Sequence, residues 1–247
     1  MGVTAILLSA GYATRLYPLT KDRPKALLPI EDGTILDEVV RSIGTVPALT
    51  KQLLVTNSRF ADQFRDWQRR TRAAVEILDD GTSTVETRLG AIKDLELCRQ
   101  RSGQGDDLLV VGTDNLFHWP LGDFVREAQR HAPAPSVALW QAPSAQDATQ
   151  FGVAVRDASS KITAFVEKSP QPSSREVALC VYYFPHAMHA DIQRFIDSGG
   201  NTDAPGYFLQ WLAAHGALFG VMMPGAWYDI GTLDSYELVK REWARSH

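Results

Sequence analysis

Val3-Thr4-Ala5-Ile6-Leu7-Leu8, running straight into Ser9-Ala10-Gly11-Tyr12-Ala13-Thr14-Arg15, sets the architecture of this 247-residue chain. The first segment is a nearly unbroken apolar run, as a strand covered on both faces of a parallel sheet must be. A glycine just past its end lets backbone N–H groups approach an anionic ligand, because no Cβ stands in the way. Arg15, and Lys25 within Pro24-Lys25-Ala26-Leu27-Leu28-Pro29-Ile30, bring two fixed positive charges to the same loop. Small residues, a glycine and two cations directly after a first strand make a phosphate-binding device. The chain has no G-x-x-x-x-G-K-[ST], and no G-x-G-x-x-G follows this strand. P-loop and dinucleotide-binding readings therefore fail.

Outward from that loop, strand-like and helix-like segments alternate. Apolar residues recur at helical spacing over Ile35 to Ile43, behind Thr34 as N-cap. Gln52 to Thr56 reads as a strand, and Phe60 to Arg70 as a helix with Phe60, Phe64 and Trp67 on one stripe. Val75 to Leu78 is a strand, Glu86 to Arg99 a helix, and Leu108 to Val111 a strand. This rhythm predicts an α/β fold: a Rossmann-like, mixed but mainly parallel sheet flanked by helices. After Trp119-Pro120 a helix over Phe124 to His131 precedes strands at Val137 to Gln141, Gly152 to Val155, Ile162 to Val166 and Val177 to Phe184. Their closeness in sequence predicts a smaller antiparallel portion. Helices over Ala190 to Phe195 and Tyr207 to His215, a strand at Leu218 to Met222 and a helix over Asp234 to Ala244 complete the pattern. With no linker and no repeat, residues 1–247 read as a single domain with halves at about 1–117 and 118–247.

Composition narrows the function classes. A net charge of −4 argues against broad binding to nucleic acid, which would want a basic face. No apolar stretch approaches the length of a membrane span, and no signal segment precedes the first strand, so the cytoplasm is the expected compartment. Cys98 and Cys180 lack metal-ligand spacing and read as small core residues of a reducing compartment. The histidines show no metal spacing, and no G-x-S-x-G elbow suggests a serine hydrolase. Leu109-Val110-Val111-Gly112-Thr113-Asp114-Asn115-Leu116-Phe117 is a strand ending in a carboxylate. Asp114 thus falls at the carboxyl end of a strand, where open α/β sheets carry their ligands and a metal ligand would serve.

The first loop resembles L-A-A-G-x-G-T-R-L-x-P-L-T-x-x-x-P-K-x-L-L-P, the opening pattern of the sugar-phosphate nucleotidylyltransferases. The likeness is to their short, glucose-1-phosphate thymidylyltransferase-like form. Ala13 departs from the pattern, standing where the family usually has a second glycine. The resemblance implies the nucleotide-diphospho-sugar transferase fold, with the first half holding the nucleotide and the second the acceptor. It implies nucleotide contacts from Ser9, Ala10, Gly11, Tyr12, Ala13, Thr14 and Arg15, with Arg15 and Lys25 as the catalytic cations. Asp114 and Asp229, the latter in Trp227-Tyr228-Asp229-Ile230-Gly231-Thr232, match the two carboxylates that hold Mg²⁺ in that family. The segment from Asp79-Asp80-Gly81-Thr82 to Leu89-Gly90-Ala91 occupies the place of the base, so Asp80, Gly81 and Gly90 are implied contacts. Phe165-Val166-Glu167-Lys168-Ser169-Pro170 resembles the E-K-P acceptor element with one residue inserted, and Cys180 stands where a glycine near the sugar is common.

The activity implied is transfer of a nucleotidyl group from an NTP to a sugar 1-phosphate, with Mg²⁺ as cofactor and release of pyrophosphate. The expected partners are that NTP and a phosphorylated small-molecule acceptor, with no nucleic acid and no membrane; self-association as a homo-oligomer stays open. A cytidylyltransferase for a non-sugar acceptor such as phosphocholine or a phosphonate is the alternative within the fold. A non-catalytic nucleotide-sensing subunit is the alternative of another class. The chain stops soon after Asp229, so no β-helical C-terminal domain is expected.

Overall fold

The computed structural model describes residues 2–243. The chain opens with β1 (Val3–Leu8), short 3₁₀ turns at Thr14–Leu16 and Lys25–Leu27, and the minimal hairpin β2 (Pro29–Ile30) and β3 (Gly33–Thr34). It continues with α1 (Ile35–Ile43), β4 (Leu49–Thr56), α2 (Ala61–Thr71), β5 (Glu76–Asp79) and α3 (Ala91–Arg99). Then come β6 (Asp107–Gly112), β7 (Asn115–Phe117), α4 (Leu121–Gln129), β8 (Ser136–Gln141) and α5 (Ala145–Ala148). The remainder is β9 (Gly152–Arg156), β10 (Ile162–Glu167), β11 (Glu176–Phe184), α6 (His189–Asp197), α7 (Pro205–His215), β12 (Phe219–Met222), β13 (Trp227–Asp229) and α8 (Leu233–Glu242).

A 9-stranded sheet runs in the order β10-β9-β11-β6-β1-β4-β5, with β8 also pairing β11 and β12 pairing β8. β1 is parallel to β4 and β6, and β4 to β5, so the first half is parallel as expected. β11 is antiparallel to β6, β8 and β9, and β10 to β9, which gives the smaller antiparallel portion. Only β12, parallel to β8, departs from that expectation. From β1 the chain moves outward to β4 and β5 on one side, then returns to β6 on the other. A ligand crevice belongs at such a reversal, at the carboxyl ends of β1 and β6.

Residues alternate between two cores. Val3, Ala5 and Leu7 of β1 and Leu109 and Val111 of β6 join one core; Ile6, Leu108 and Val110 join the other. Each of these side chains is fully covered, and each such burial contributes about 1.5–3 kcal/mol for a Val, Leu or Ile. On α1, Ile35, Leu36, Val39 and Ile43 are buried, and a capping box fixes the start: Asp37 N–H donates to Thr34 Oγ1, and Thr34 N–H to Asp37 Oδ2. Phe60, Phe64 and Trp67 are buried together, although Phe60 is the N-cap and α2 begins at Ala61.

Most helices shift by a few residues at their ends, as α4 does (Leu121–Gln129 against Phe124 to His131), and one begins well inside its read stretch. The segment from Glu86 is not helical until Ala91, because Gly90 at the N-cap has φ 90°. A Cβ on Gly90 would also lie 2.6 Å from the carbonyl oxygen of Thr202, so only glycine fits there. That carbonyl accepts from Ile92 N–H, which fastens the start of α3 to the loop before α7. The last helix ends at Glu242 among the described residues; Ala244 lies outside them.

Candidate active site

The loop after β1 is held by two buried polar residues, Asn57 and Thr113. Asn57 Nδ2 donates to the carbonyl of Ala10 at 2.8 Å. Thr113 Oγ1 donates to the carbonyl of Leu8 at 3.0 Å and lies 3.0 Å from Ser9 Oγ. Ala13 then takes a left-handed conformation, φ 47° and ψ 43°, and its carbonyl accepts from Thr20 Oγ1 at 2.8 Å. The one departure from the family's opening pattern therefore sits where a glycine would be free of strain.

Asp114 follows β6 and is fixed through both oxygens. Lys25 Nζ donates to Oδ2 at 2.7 Å, and Asn115 Nδ2 donates to Oδ1 at 2.7 Å. The Asn115 side-chain oxygen accepts from Trp227 Nε1 at 2.7 Å, so the amide is oriented from both ends. β7 and β13 form a separate two-stranded ladder in which Asp229 stands opposite Asn115. Ile230 N–H then donates to the carbonyl of Asp114 at 3.0 Å. Chain segments far apart in sequence are thus stitched side by side, and Asp114 and Asp229 with them. Thr232 caps α8 behind this ladder in a capping box with Ser235.

The two carboxyls titrate differently. Burial would raise Asp114, but the charge and hydrogen bond of Lys25 outweigh it and hold the carboxylate below its ordinary range. Asp229 is pushed up to about 6, by burial and by the Asp114 charge, with Lys25, Arg15 and Lys168 pulling the other way. A Cβ on Gly231 would lie 2.8 Å from Asp229 Oδ2 and 3.7 Å from Arg15 Nη2, which sets that guanidinium beside that carboxylate.

Two cavities open here. The smaller, of about 320 Å³, is walled by Ser9, Ala10, Gly11, Ala13, Lys25 and Gly90 among others. The larger, of about 700 Å³, carries Glu167, Lys168, Tyr182, Trp227 and Asp229 in its wall. Arg15, Asp114, Cys180 and Pro205 belong to both. Across the smaller cavity Arg88 pairs with Asp203 at 2.8 Å. Cys180 sits inside β11 at the junction, and its thiol is pushed up to about 12, chiefly by burial. Cys98 is buried in the core, and both thiols are free.

Glu167 ends β10. A Cβ on Gly206, at the start of α7, would fall 1.8 Å from Glu167 Oε2, so the carboxylate lies directly over that helix start. Burial raises its pKa, against the pull of Lys168. Lys168 has φ 51°, a left-handed conformation uncommon for a side-chain-bearing residue, and its N–H donates to the carbonyl of Phe151.

Four of the expected nucleotide contacts do not reach the cavity wall. Tyr12 turns its ring inward, 6.4 Å from that of Phe60, and is buried. Thr14 opens the exposed 3₁₀ turn and is absent from both walls. Asp80 Oδ1 folds back to accept from Thr82 N–H at 2.7 Å and Thr82 Oγ1 at 2.8 Å, and Gly81 is the exposed tip of that turn at φ 80°. Sequence reasoning in turn missed Asp94, which lines the smaller cavity from the first turns of α3. Its position after Gly90-Ala91 on a helix start was the signal available.

Among the described residues no cluster of three or more His, Cys, Asp or Glu could hold a metal ion. Asp114 and Asp229, set on neighbouring segments by the β7–β13 pairing, are the candidate pair of oxygen donors. Two hard oxygen donors side by side fit Mg²⁺, which commonly takes one or two carboxylates and fills its remaining positions with water and phosphate oxygens. Among the described residues no helix is long and apolar enough to cross a membrane.

The chain resembles known proteins along its length. It is 27% identical over 201 residues to the UTP–glucose-1-phosphate uridylyltransferase AglF of Haloferax volcanii, covering 75% of this chain and 74% of that protein. It is 27% identical over 229 residues to the mannose-1-phosphate guanylyltransferase catalytic subunit beta of Xenopus tropicalis, covering 92% of this chain and 61% of that protein. The chain thus spans about three fifths of the length of the mannose-1-phosphate guanylyltransferases it matches. Its fold superposes on a crystal structure of UDP-glucose pyrophosphorylase complexed with UDP-glucose, with a TM-score of 0.81, 16% identity and full coverage of both chains. That likeness confirms the expected fold: a mainly parallel sheet between helices. The nucleotidyl transferase family matches residues 4–246, nearly the whole chain, and the chain belongs to that family.

Proposed function

We propose that the chain transfers a nucleotidyl group from an NTP to a sugar 1-phosphate, forming a nucleotide sugar and pyrophosphate. The observation that carries this reading is the pair of cavities meeting along a shared wall of Arg15, Asp114 and Cys180. A reaction joining two phosphorylated molecules needs such a junction, with cations at the meeting point.

In this reading an oxygen of the acceptor phosphate attacks the α-phosphorus of the NTP in line. The new phosphorus–oxygen bond forms as the bond to the bridging oxygen breaks, and pyrophosphate departs with that electron pair. No proton need move. Two anions must meet, so the residues' task is alignment and charge neutralisation. Lys25 holds the α-phosphate, Arg15 takes the departing pyrophosphate, and Lys168 aligns the attacking phosphate. Glu167 accepts a hydrogen bond from a hydroxyl of the sugar ring. Asp114 and Asp229 would hold Mg²⁺, which when bound supplies positive charge to phosphate oxygens. Lys25 and Arg15, which already neighbour these carboxylates, keep the site near charge balance without it. Relatives named for glucose 1-phosphate and mannose 1-phosphate support a hexose 1-phosphate as acceptor.

The test is pyrophosphate release over a matrix of the four common NTPs, dTTP, hexose 1-phosphates, phosphocholine and aminoethylphosphonate. Turnover with a hexose 1-phosphate supports the proposal. Turnover confined to the non-sugar acceptors would replace it with the cytidylyltransferase alternative.

A further inference from the structure

One cation in the wall of the smaller cavity has no part in the proposed transfer. Arg88 belongs to the loop that leads into α3 and lines that cavity beside Gly90 and Ala91. Asp203, in the loop before α7, lines it too. Arg88 Nη2 donates to Asp203 Oδ2 at 2.8 Å, Nε to Asp203 Oδ1 at 3.4 Å, and Nη1 to the carbonyl of Val85 at 3.2 Å. Acceptors thus occupy the edge of the guanidinium and fix its plane. The two loops are fastened again behind the pair. Thr202 Oγ1 donates to the carbonyl of Leu89 at 3.3 Å, and Ile92 N–H to that of Thr202 at 3.1 Å.

Stability does not account for this arrangement. The two side chains are 46% and 52% exposed, and an ion pair so open to water contributes little. Nor does its charge suit Arg88 to the triphosphate. Asp203 already neutralises it, and a phosphate brought to the guanidinium would meet that carboxylate as well. Arg15 and Lys25 carry positive charge to the phosphate loop in the same wall. What Arg88 has left to offer is its flat face. A guanidinium with its edge taken and its plane fixed stacks on an aromatic ring. The neighbouring wall admits one: Leu8, Ala10, Gly90 and Ala91 are small or apolar, and Gly90 is kept bare by its φ of 90° and by the carbonyl of Thr202.

We infer that Arg88 binds the nucleotide by stacking its guanidinium on the heterocyclic base, and that Asp203 is the positioning residue that holds the guanidinium flat for that contact. This inference rests on the proposed nucleotidyl transfer, which brings the nucleotide to the smaller cavity.

Calorimetric titration of the full chain with GTP, dTTP, UTP, ATP and CTP in the presence of Mg²⁺ tests it, on the nucleotide that wild type binds most tightly. Arg88→Ala is expected to weaken that binding by about 10-fold, and Arg88→Lys by nearly as much, because an ammonium keeps the charge without the plane. Asp203→Asn is expected to weaken it by about 3-fold, and the double variant no more than Arg88→Ala alone, since Asp203 acts through Arg88. Each variant is expected to melt close to wild type, because the pair is so exposed. Binding by Arg88→Ala as tight as by wild type overturns the inference. Full recovery in Arg88→Lys would make the contact one of charge with the phosphates, and overturns it too. So does tighter binding by Asp203→Asn, which would mean that a released Arg88 reaches the phosphates. Additive losses in the double variant would overturn the positioning role of Asp203. Absence of binding of every nucleotide to wild type would strike the transferase reading itself, and the stacking contact with it.

Discussion

Lys25 Nζ lies 2.7 Å from Asp114 Oδ2, joining the loop after β1 to the end of β6 across 89 positions of sequence. The pair brings the site's cation to the carboxylate before any substrate arrives. Lys25→Ala removes a positioned charge from developing phosphate charge, and turnover is expected to fall by about 10²-fold or more. Pyrophosphate release at saturating substrates measures it; near-normal turnover would take Lys25 out of the mechanism.

Asp114→Asn and Asp229→Asn are each expected to abolish Mg²⁺-dependent turnover while leaving the far-ultraviolet circular dichroism of the apo protein unchanged. Full activity of either variant across a Mg²⁺ titration would dissolve the shared-ion assignment.

Glu167→Ala is expected to lower kcat/KM for a sugar phosphate by about 10- to 100-fold, the cost of a lost buried acceptor for a hydroxyl, with the NTP KM nearly unchanged. Gly206→Ala should reproduce the effect, because its Cβ would occupy the position of Glu167 Oε2. Lys168→Ala should harm every phosphorylated acceptor. Equal losses toward sugar and non-sugar acceptors in Glu167→Ala would argue against a ring-hydroxyl contact.

Asp94 takes up a proton at about pH 7 in the folded chain and near 3.8 when unperturbed. The folded state thus binds more protons than the unfolded one between those values, and Asp94's contribution to stability falls as pH rises through that window. Asp94→Asn removes the loss. The variant is expected to melt several degrees above wild type at pH 8, about 1–3 kcal/mol, and close to it at pH 4. Parallel melting profiles across this range would contradict the shift.

Ala13→Gly relieves a left-handed alanine, and the gain should exceed the added entropy of the unfolded chain by about 0.5–1 kcal/mol. Thermal melting should rise by about 1–3 °C. A lower melting temperature would mean that the methyl group contributes packing that outweighs the strain.

The parallel half of the sheet was legible because β1 and β6 are covered on both faces, so their apolar runs are nearly unbroken. α1 was legible for a local reason, the Thr34–Asp37 box at its start. What escaped was set by distant partners. The late start of α3 answers to Thr202, and the three-residue strands β7 and β13 exist only as a pair. Asp114 and Asp229 could be named from short motifs, whereas Asp94 could not. Its burial and its Asp80 neighbour arise only when the turn after β5 folds under α3. The inward turn of the Tyr12 ring was not legible either, because a residue inside a ligand loop can place its side chain in the core.

The shared wall of Arg15, Asp114, Cys180 and Pro205 has a consequence for inhibition. In the proposed transfer each substrate would fill one chamber and give up its rotational and translational freedom separately; a single molecule spanning both would give it up once. The nucleotide sugar is such a molecule, so it should compete with both substrates. A bisubstrate compound linking nucleoside and sugar through a non-cleavable polyphosphate should bind more tightly than either half, provided its linker passes Asp114.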